Sequence, residues 1–270
     1  MTQPLTTSYP LASADSGWQE VEGNCDKHGP CKAVVMPHPM IPGKTIGPNN
    51  RCEKCADERR QAEEEAKRAA DARRKAAKIE ELFGRSNIPL RFRDKKLTSY
   101  RAESVGQKRA ASVASRFVEK WPDNYERGTS LILTGGPGTG KTHLACGIGS
   151  ALIEQYQAAV LFLGTLEALR SIKATYNRDS EVTEQEAIDR LLAPHLLILD
   201  EVGVQVGSEH EKLLLFDVLN SRYQDCMPTI LLSNLSGADL ENYLGQRVMD
   251  RYRECGAVLA FDWESYRGRQ

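Results

Sequence analysis

At 270 residues, with 36 Lys and Arg against 37 Asp and Glu, the chain is long enough for one sizeable core plus an appendage and is almost uncharged. That balance excludes a global basic field for holding nucleic acid, so any such contact must come from a local patch or from several subunits acting together. Seven cysteines, no signal-like apolar run and no apolar stretch of about eighteen residues argue against a disulfide scaffold or a membrane span, and the expectation is a soluble, cytoplasmic protein without a membrane partner.

Residues 1–20, rich in Ser, Thr, Pro and Gly and without a period, are expected to form a flexible leader. Residues 21–55 hold four of the cysteines. Cys25-x-x-His28 and Cys52-x-x-Cys55 are two short knuckles separated by a loop, a spacing suited to tetrahedral Zn²⁺ with sulfur and imidazole ligands. Cys31 is a fifth candidate that can replace His28, whereas His38 sits in a Pro-rich loop and is left out. A filled Cys₃His set has no open position for water, so the expected role is structural. A stretch this short cannot bury enough apolar surface to fold unaided, and a metal would supply the missing stabilisation.

Residues 56–84 are almost wholly Ala, Glu, Lys, Arg, Gln and Asp, with opposite charges repeatedly three or four apart. That pattern predicts a solvated helix, ending near Gly84 and Pro89. Its apolar positions are mostly alanine, so a simple spacer accounts for it as well as a packing element does.

From residue 85 onward the text changes. Gln107 to Trp121 reads as an amphipathic helix, and short apolar runs follow at 130–135, 159–164, 195–200, 228–234 and 257–263, separated by helix-length segments. This alternation predicts an α/β fold: a parallel sheet covered on both faces by helices.

"GGPGTGKT", Gly135, Gly136, Pro137, Gly138, Thr139, Gly140, Lys141 and Thr142, fits the phosphate-loop pattern and lies between an apolar run and a helical segment beginning at His143. Small residues let the loop wrap phosphates with its N–H groups and the following helix N-terminus. Lys141 is expected on the β- and γ-phosphates of ATP and the Thr142 hydroxyl on Mg²⁺. "HLLILDE" supplies the acids: Asp200 as the Mg²⁺ partner and Glu201 to orient or deprotonate water. Asn234, at the tip of "TILLSN", is a candidate to hold that water; an Asx turn explains it equally well.

"GGPGTGKTHLA", "LLILDEVGVQ", "TILLSN", "LGQRVMDRYRE" and "FDWESYRG", in this order, resemble the AAA+ P-loop ATPase domain of the DnaC-type replicative helicase loaders of bacteria and phages, from about Leu82 onward. The phosphate loop and acid pair belong to many ATPases, and the two closing motifs discriminate best. The resemblance implies a magnesium-dependent ATPase of low turnover that assembles as a spiral, binds a hexameric replicative helicase and grips single-stranded DNA. It implies that Arg251 is an arginine finger reaching the ATP of the next subunit, with Arg247 one turn earlier, and that Arg267 is a sensor closing on the phosphates of its own chain. It further implies DNA contacts by Tyr176, Ser208 and His210, with Lys173 or Arg178 near phosphate. His210 stands where relatives carry an aromatic. In some loaders an N-terminal zinc domain binds the helicase, which suggests the same task for residues 20–80.

An IstB-type transposition ATPase, which shares the core and binds DNA as an oligomer, is the nearest alternative, although "MDRYR" followed by "FDWESYRG" favours the loader. A small-molecule kinase would need an Arg-rich lid that the sequence does not offer. An adaptor that binds ATP without hydrolysing it would be indifferent to Glu201.

Overall fold

Residues 19–51 form three strands where the sequence suggests two knuckles joined by a loop. β1 (Gln19–Cys25), β2 (Gly29–Pro37) and β3 (Thr45–Arg51) make an antiparallel sheet in that order. The computed structural model describes residues 19–177, 179–204 and 208–266, and the chain divides after Lys75 into two units. The leader lies almost wholly outside the described residues.

In the first unit, register brings the knuckles together. Cys25 pairs with Gly29 across a three-residue turn that carries His28, and Lys32 pairs with Arg51, so β3 delivers Cys52 back to that same end of the sheet. α1 (Glu53–Arg85) begins at once and presents Cys55 in its first turn. Among the described residues of this unit only Cys25, Ala33, Val34 and Cys52 are buried, too small a core to hold a sheet by itself. α1 carries Glu53 in its first turn and Arg85 in its last, both favourable to the helix dipole, and buries only Leu82.

The second unit starts with the last turns of α1. The stretch after it does not act as a free linker: Ser86 and Ile88 are buried, and the Phe162 amide donates to the Ser86 carbonyl at 2.8 Å. α2 (Leu90–Arg93), a short turn at Leu97–Ser99, α3 (Val105–Glu119) and α4 (Trp121–Glu126) follow. The alternating portion then reads β4 (Ser130–Gly135), α5 (Lys141–Tyr156), β5 (Val160–Gly164), α6 (Thr165–Lys173), α7 (Glu184–Leu192), β6 (Leu196–Asp200) and α8 (Glu209–Gln224). It ends with β7 (Thr229–Ser233), α9 (Gly237–Leu244), α10 (Gln246–Glu254) and β8 (Gly256–Phe261).

The five strands are parallel in the order β5-β6-β7-β4-β8. Their side chains alternate between two cores, as a sheet covered on both faces requires. Leu131, Leu133, Ile198, Ile230 and Leu232 pack with α3 and α5, while Ile132, Leu197, Leu199 and Leu231 pack with α6, α7, α8 and α10. The expected α/β architecture is therefore present, with each of the five strands within a residue or two of its apolar run. Its carboxyl edge, where β4, β6 and β7 end, gathers the chemistry.

Candidate functional site

The loop between β4 and α5 is shaped by two glycines that nothing larger can replace. Gly135 has φ 133°, and a Cβ there would stand 2.2 Å from the Phe261 carbonyl oxygen; at Gly140, φ 98°, it would meet the Tyr100 ring at 2.8 Å. Lys141 is buried, and its ammonium donates to the carbonyls of Gly135 at 2.5 Å and Gly136 at 2.8 Å. From outside, the Trp263 indole N–H donates to the Thr139 carbonyl at 2.9 Å, the Tyr100 hydroxyl to the same oxygen at 3.5 Å, and the Tyr266 amide to the Gly138 carbonyl at 3.0 Å. Carbonyls turned outward leave the adjoining N–H groups turned inward, the polarity an anion at a helix N-terminus needs.

Beside the loop, the Thr142 hydroxyl donates to Asp200 Oδ2 at 3.1 Å, across the gap between α5 and the end of β6. The other oxygen, Oδ1, accepts from the Glu201 amide at 2.8 Å. Burial pushes the Asp200 carboxyl up, against the pull of the Glu201 N–H, the Thr142 hydroxyl and the Lys141 charge. Glu201 itself is exposed and has φ 60°, a left-handed conformation that costs a residue with a Cβ roughly 1 kcal/mol or more. Its neighbours hold it there: Val202 donates to the Leu232 carbonyl at 2.9 Å, and the Ser233 hydroxyl donates to the Val202 carbonyl at 2.6 Å.

Asn234 is exposed just past β7, the strand next to β6. The turn contact there belongs to Ser233, whose Oγ accepts from the Leu235 amide at 3.1 Å. His143 Nε2 lies 3.3 Å from the Ser99 hydroxyl, and its ring stands edge-on to Tyr100 at 5.5 Å. Burial holds its pKa below the ordinary histidine value.

Arg251, half-buried on α10, turns toward α8. It donates to Asn220 Oδ1, and its guanidinium carbon stands 5.2 Å from the Tyr223 ring centroid. Arg247 is exposed one turn earlier on the same helix. Arg267 and Arg178 lie outside the described residues.

Of the three expected DNA contacts, the structure brings two together: the Tyr176 hydroxyl and His210 Nε2 are 3.1 Å apart, and Tyr176 is 48% exposed. Ser208 caps α8, its hydroxyl accepting from the Glu211 amide at 3.3 Å while the Glu211 carboxylate accepts from the Ser208 amide at 3.0 Å. Lys173 is already committed to Glu211, at 2.6 Å.

In the first unit, the donor atoms of Cys25, His28, Cys52 and Cys55 lie within 4.8 Å of one another. Cys25 Sγ is 3.4 Å from Cys55 Sγ, and His28 Nδ1 is 3.2 Å from Cys55 Sγ, 3.5 Å from Cys52 Sγ and 3.8 Å from Cys25 Sγ. Sulfurs about 2.3 Å from a tetrahedral Zn²⁺ stand roughly 3.8 Å apart, so the three thiols and one imidazole fit that ion. Cys31, on β2, is outside this group of four. The backbone N–H groups of Lys27 and then His28 draw the Cys25 thiol down to about 6, while the hydrogen bond with Cys25 pushes Cys55 up to about 12.

Several residues escaped the reading of the sequence. His28 Nε2 faces Glu58 Oε1 at 3.1 Å, and Lys27 Nζ donates to Glu58 Oε2 at 2.7 Å. Cys-x-x-Cys-x-x-Glu is the signal that was available. Trp263 and Tyr266 lie in a motif noted only as discriminating, yet they touch the phosphate loop. Arg222, fully buried on α8, had no signal at all.

Comparison with known proteins agrees with this fold. A family model described as IstB-like ATP binding protein matches residues 62–270. The chain is 34% identical over 194 residues to the replicative helicase loader DnaC of Buchnera aphidicola subsp. Schizaphis graminum, covering 72% of this chain and 77% of that protein. It is 34% identical over 202 residues to the replicative helicase loader DnaC of Escherichia coli (strain K12), covering 74% and 80%. A crystal structure of the DnaC helicase loader matches with a TM-score of 0.58 at 27% identity, over 64% of this chain and 99% of that one.

Proposed function

The chain belongs to the DnaC-type loaders among the IstB-like ATP-binding proteins, and from that membership we propose that it is an ATPase that binds a hexameric replicative helicase and helps deposit it on single-stranded DNA at initiation or restart. The observation that best supports an ATPase is the 3.1 Å contact between Thr142 and Asp200 beside the phosphate loop, with Glu201 held next to it in a strained conformation. On this reading, Lys141 leaves the carbonyls of Gly135 and Gly136 for the β- and γ-phosphates, and Gly135 to Thr142 cradle the nucleotide with their N–H groups. Thr142 and Asp200 would hold Mg²⁺, which neutralises charge on the phosphates. Glu201 takes the proton of the attacking water or orients it, and Asn234 assists from the neighbouring strand.

Arg251 acts on the ATP of an adjacent subunit in a spiral, so an isolated protomer lacks its finger and turns over slowly. Arg267 closes on the phosphates from its own chain. Tyr176 offers an exposed ring on which any base can stack, with His210 beside it, which suits single-stranded DNA of any sequence. Cys25, His28, Cys52 and Cys55 hold a structural Zn²⁺, and residues 21–55 form the handle for the helicase, joined through 56–84 to the ATPase at 85–270. No described helix is long and apolar enough to cross a membrane, in keeping with work in the cytoplasm.

The test is to mix the protein with a replicative helicase and ATP and ask for a complex of defined stoichiometry, which Glu201→Gln should preserve while ATP turnover stops. Failure to bind any helicase, or copurification with a transposase, would overturn the loader in favour of the IstB-type alternative. Relatives at 34% identity carry the loader name, which supports the first reading.

A further inference from the structure

We propose that Glu58, steadied by Lys27, is the positioning residue of the metal centre, fixing His28 in the tautomer whose Nδ1 faces the three thiols. The inference rests on the zinc reading above and goes beyond it, because it explains why the fourth ligand is His28 rather than Cys31.

The two ring nitrogens of His28 face different partners. Nδ1 looks toward the sulfurs of Cys55, Cys52 and Cys25 at 3.2, 3.5 and 3.8 Å, whereas Nε2 looks at Glu58 Oε1 at 3.1 Å. A neutral imidazole carries one N–H, and an ionised carboxylate only accepts. The proton therefore sits on Nε2, and the Nδ1 lone pair is free for a metal. A carboxylate on the outer nitrogen of a ligating histidine fixes ring orientation and raises ligand basicity.

Glu58 reaches this position through local structure. It lies three residues beyond Cys55 on α1, so both side chains share one face of the helix as it leaves the sheet. The turn between β1 and β2 supplies His28 and, one residue earlier, Lys27. The Lys27 ammonium binds the second carboxylate oxygen at 2.7 Å, which leaves Oε1 for the histidine. Lys27 and Glu58 are 67% and 45% exposed, and a bridge so open adds little by itself; its value is the orientation it imposes. Among the described residues Cys31 has no comparable device: it lies on β2, apart from the four-donor group, and the hydrogen bonds of Glu58 and Lys27 go elsewhere.

The experiment uses the full-length protein under reducing conditions, stripped of metal and titrated with Zn²⁺ against a chromophoric chelator. Co²⁺ spectra and long-range ¹H–¹⁵N correlations of the His28 ring serve as the second readout. Glu58→Ala should weaken Zn²⁺ binding by about ten- to a hundredfold. It should also lose the single Nε2–H tautomer, with the Co²⁺ spectrum moving away from three thiolates and one imidazole. Glu58→Gln keeps an acceptor for Nε2–H and should retain the tautomer with a smaller loss of affinity. Lys27→Ala, which leaves the carboxylate in place, should cost less than Glu58→Ala. ATP affinity, read in parallel, should be unchanged in all three. Glu58→Ala binding as tightly as wild type with an unaltered spectrum would overturn the positioning role and leave the zinc site standing; a wild-type protein that takes up no Zn²⁺ would overturn the zinc reading itself.

Discussion

Replacing Arg222 by Met should destabilise the ATPase unit without touching its nucleotide site. Arg222 is fully buried on α8, and among the described residues no carboxylate pairs with it. Its Nε donates to Thr229 Oγ1 at 3.0 Å, Nη1 to the carbonyls of Leu191, Leu192 and Pro194 at 3.0, 2.9 and 3.1 Å, and Nη2 to those of Pro194 and Pro228 at 3.1 and 2.7 Å. One side chain thus ties the end of α7 to the starts of β6 and β7. In the Met variant the Pro228 carbonyl keeps the Leu197 amide at 3.3 Å, but the buried carbonyls of Leu191 and Pro194 lose these donors. Two orphaned buried acceptors cost roughly 2–6 kcal/mol together. Relief of a buried charge, one that burial already draws down to about 10 in pKa, offsets part of this. A net loss of about 3 kcal/mol follows, or a Tm lower by about 10 °C for a unit of this size. Urea and thermal unfolding followed by circular dichroism would measure it. ATP affinity per folded molecule should not change, because the contacts sit at the ends of β6 and β7 opposite Asp200 and Asn234. A loss under about 1 kcal/mol would show that water replaces the guanidinium at the carbonyls and would refute the clamp.

Mixing Arg251→Ala with Lys141→Ala protein should restore ATPase activity that neither has alone, since mixed interfaces pair an intact phosphate loop with an intact finger; an unrestored mixture would count against a finger acting between subunits. A zinc-preferring chelator, with Mg²⁺ in excess, should abolish helicase binding while ATP binding survives, and loss of both together would contradict the division of labour between residues 21–55 and 85–270. Glu211 is held below the ordinary carboxylate range, first by Lys173 and then by the Ser208 N–H. Its contribution is therefore full above the unfolded value of about 4.3 and fades as pH falls through the lower folded value. The stability difference between wild type and Glu211→Gln should accordingly shrink on acidification, and a constant difference from pH 7 down to pH 3 would rule the pairing out.

How much of this could be read in advance depended on how local the cause was. Strands buried on both faces are written as continuous apolar runs, so "LILT", "LLILD" and "TILLS" announced β4, β6 and β7, and the phosphate loop needs only its own eight residues. β1 and β3 gave no such run and β2 only "AVVM", because theirs is a small sheet with Val21 and Ile46 left exposed and Pro and Gly spaced through it. Arg222 in "NSRYQ" looks like any surface arginine, and Glu58 is one charge among many on a charged helix. The hydrogen bond from Trp263 to Thr139 joins residues 124 apart in sequence, a distance at which no periodicity speaks.

The resemblance assigns Arg251 to the ATP of a neighbouring subunit, and among the described residues of its own chain its partners are a neutral amide, Asn220, and the ring of Tyr223. Neither neutralises a guanidinium, and among the described residues no carboxylate pairs with it, which on the proposed reading leaves its charge for an anion arriving from outside. A carboxylate partner would have met that demand within one subunit. The acids that would position metal and water belong, on that reading, to one protomer and the cation for the departing phosphate to the next. On the proposed reading, this separation makes ATP turnover a report on assembly around the helicase.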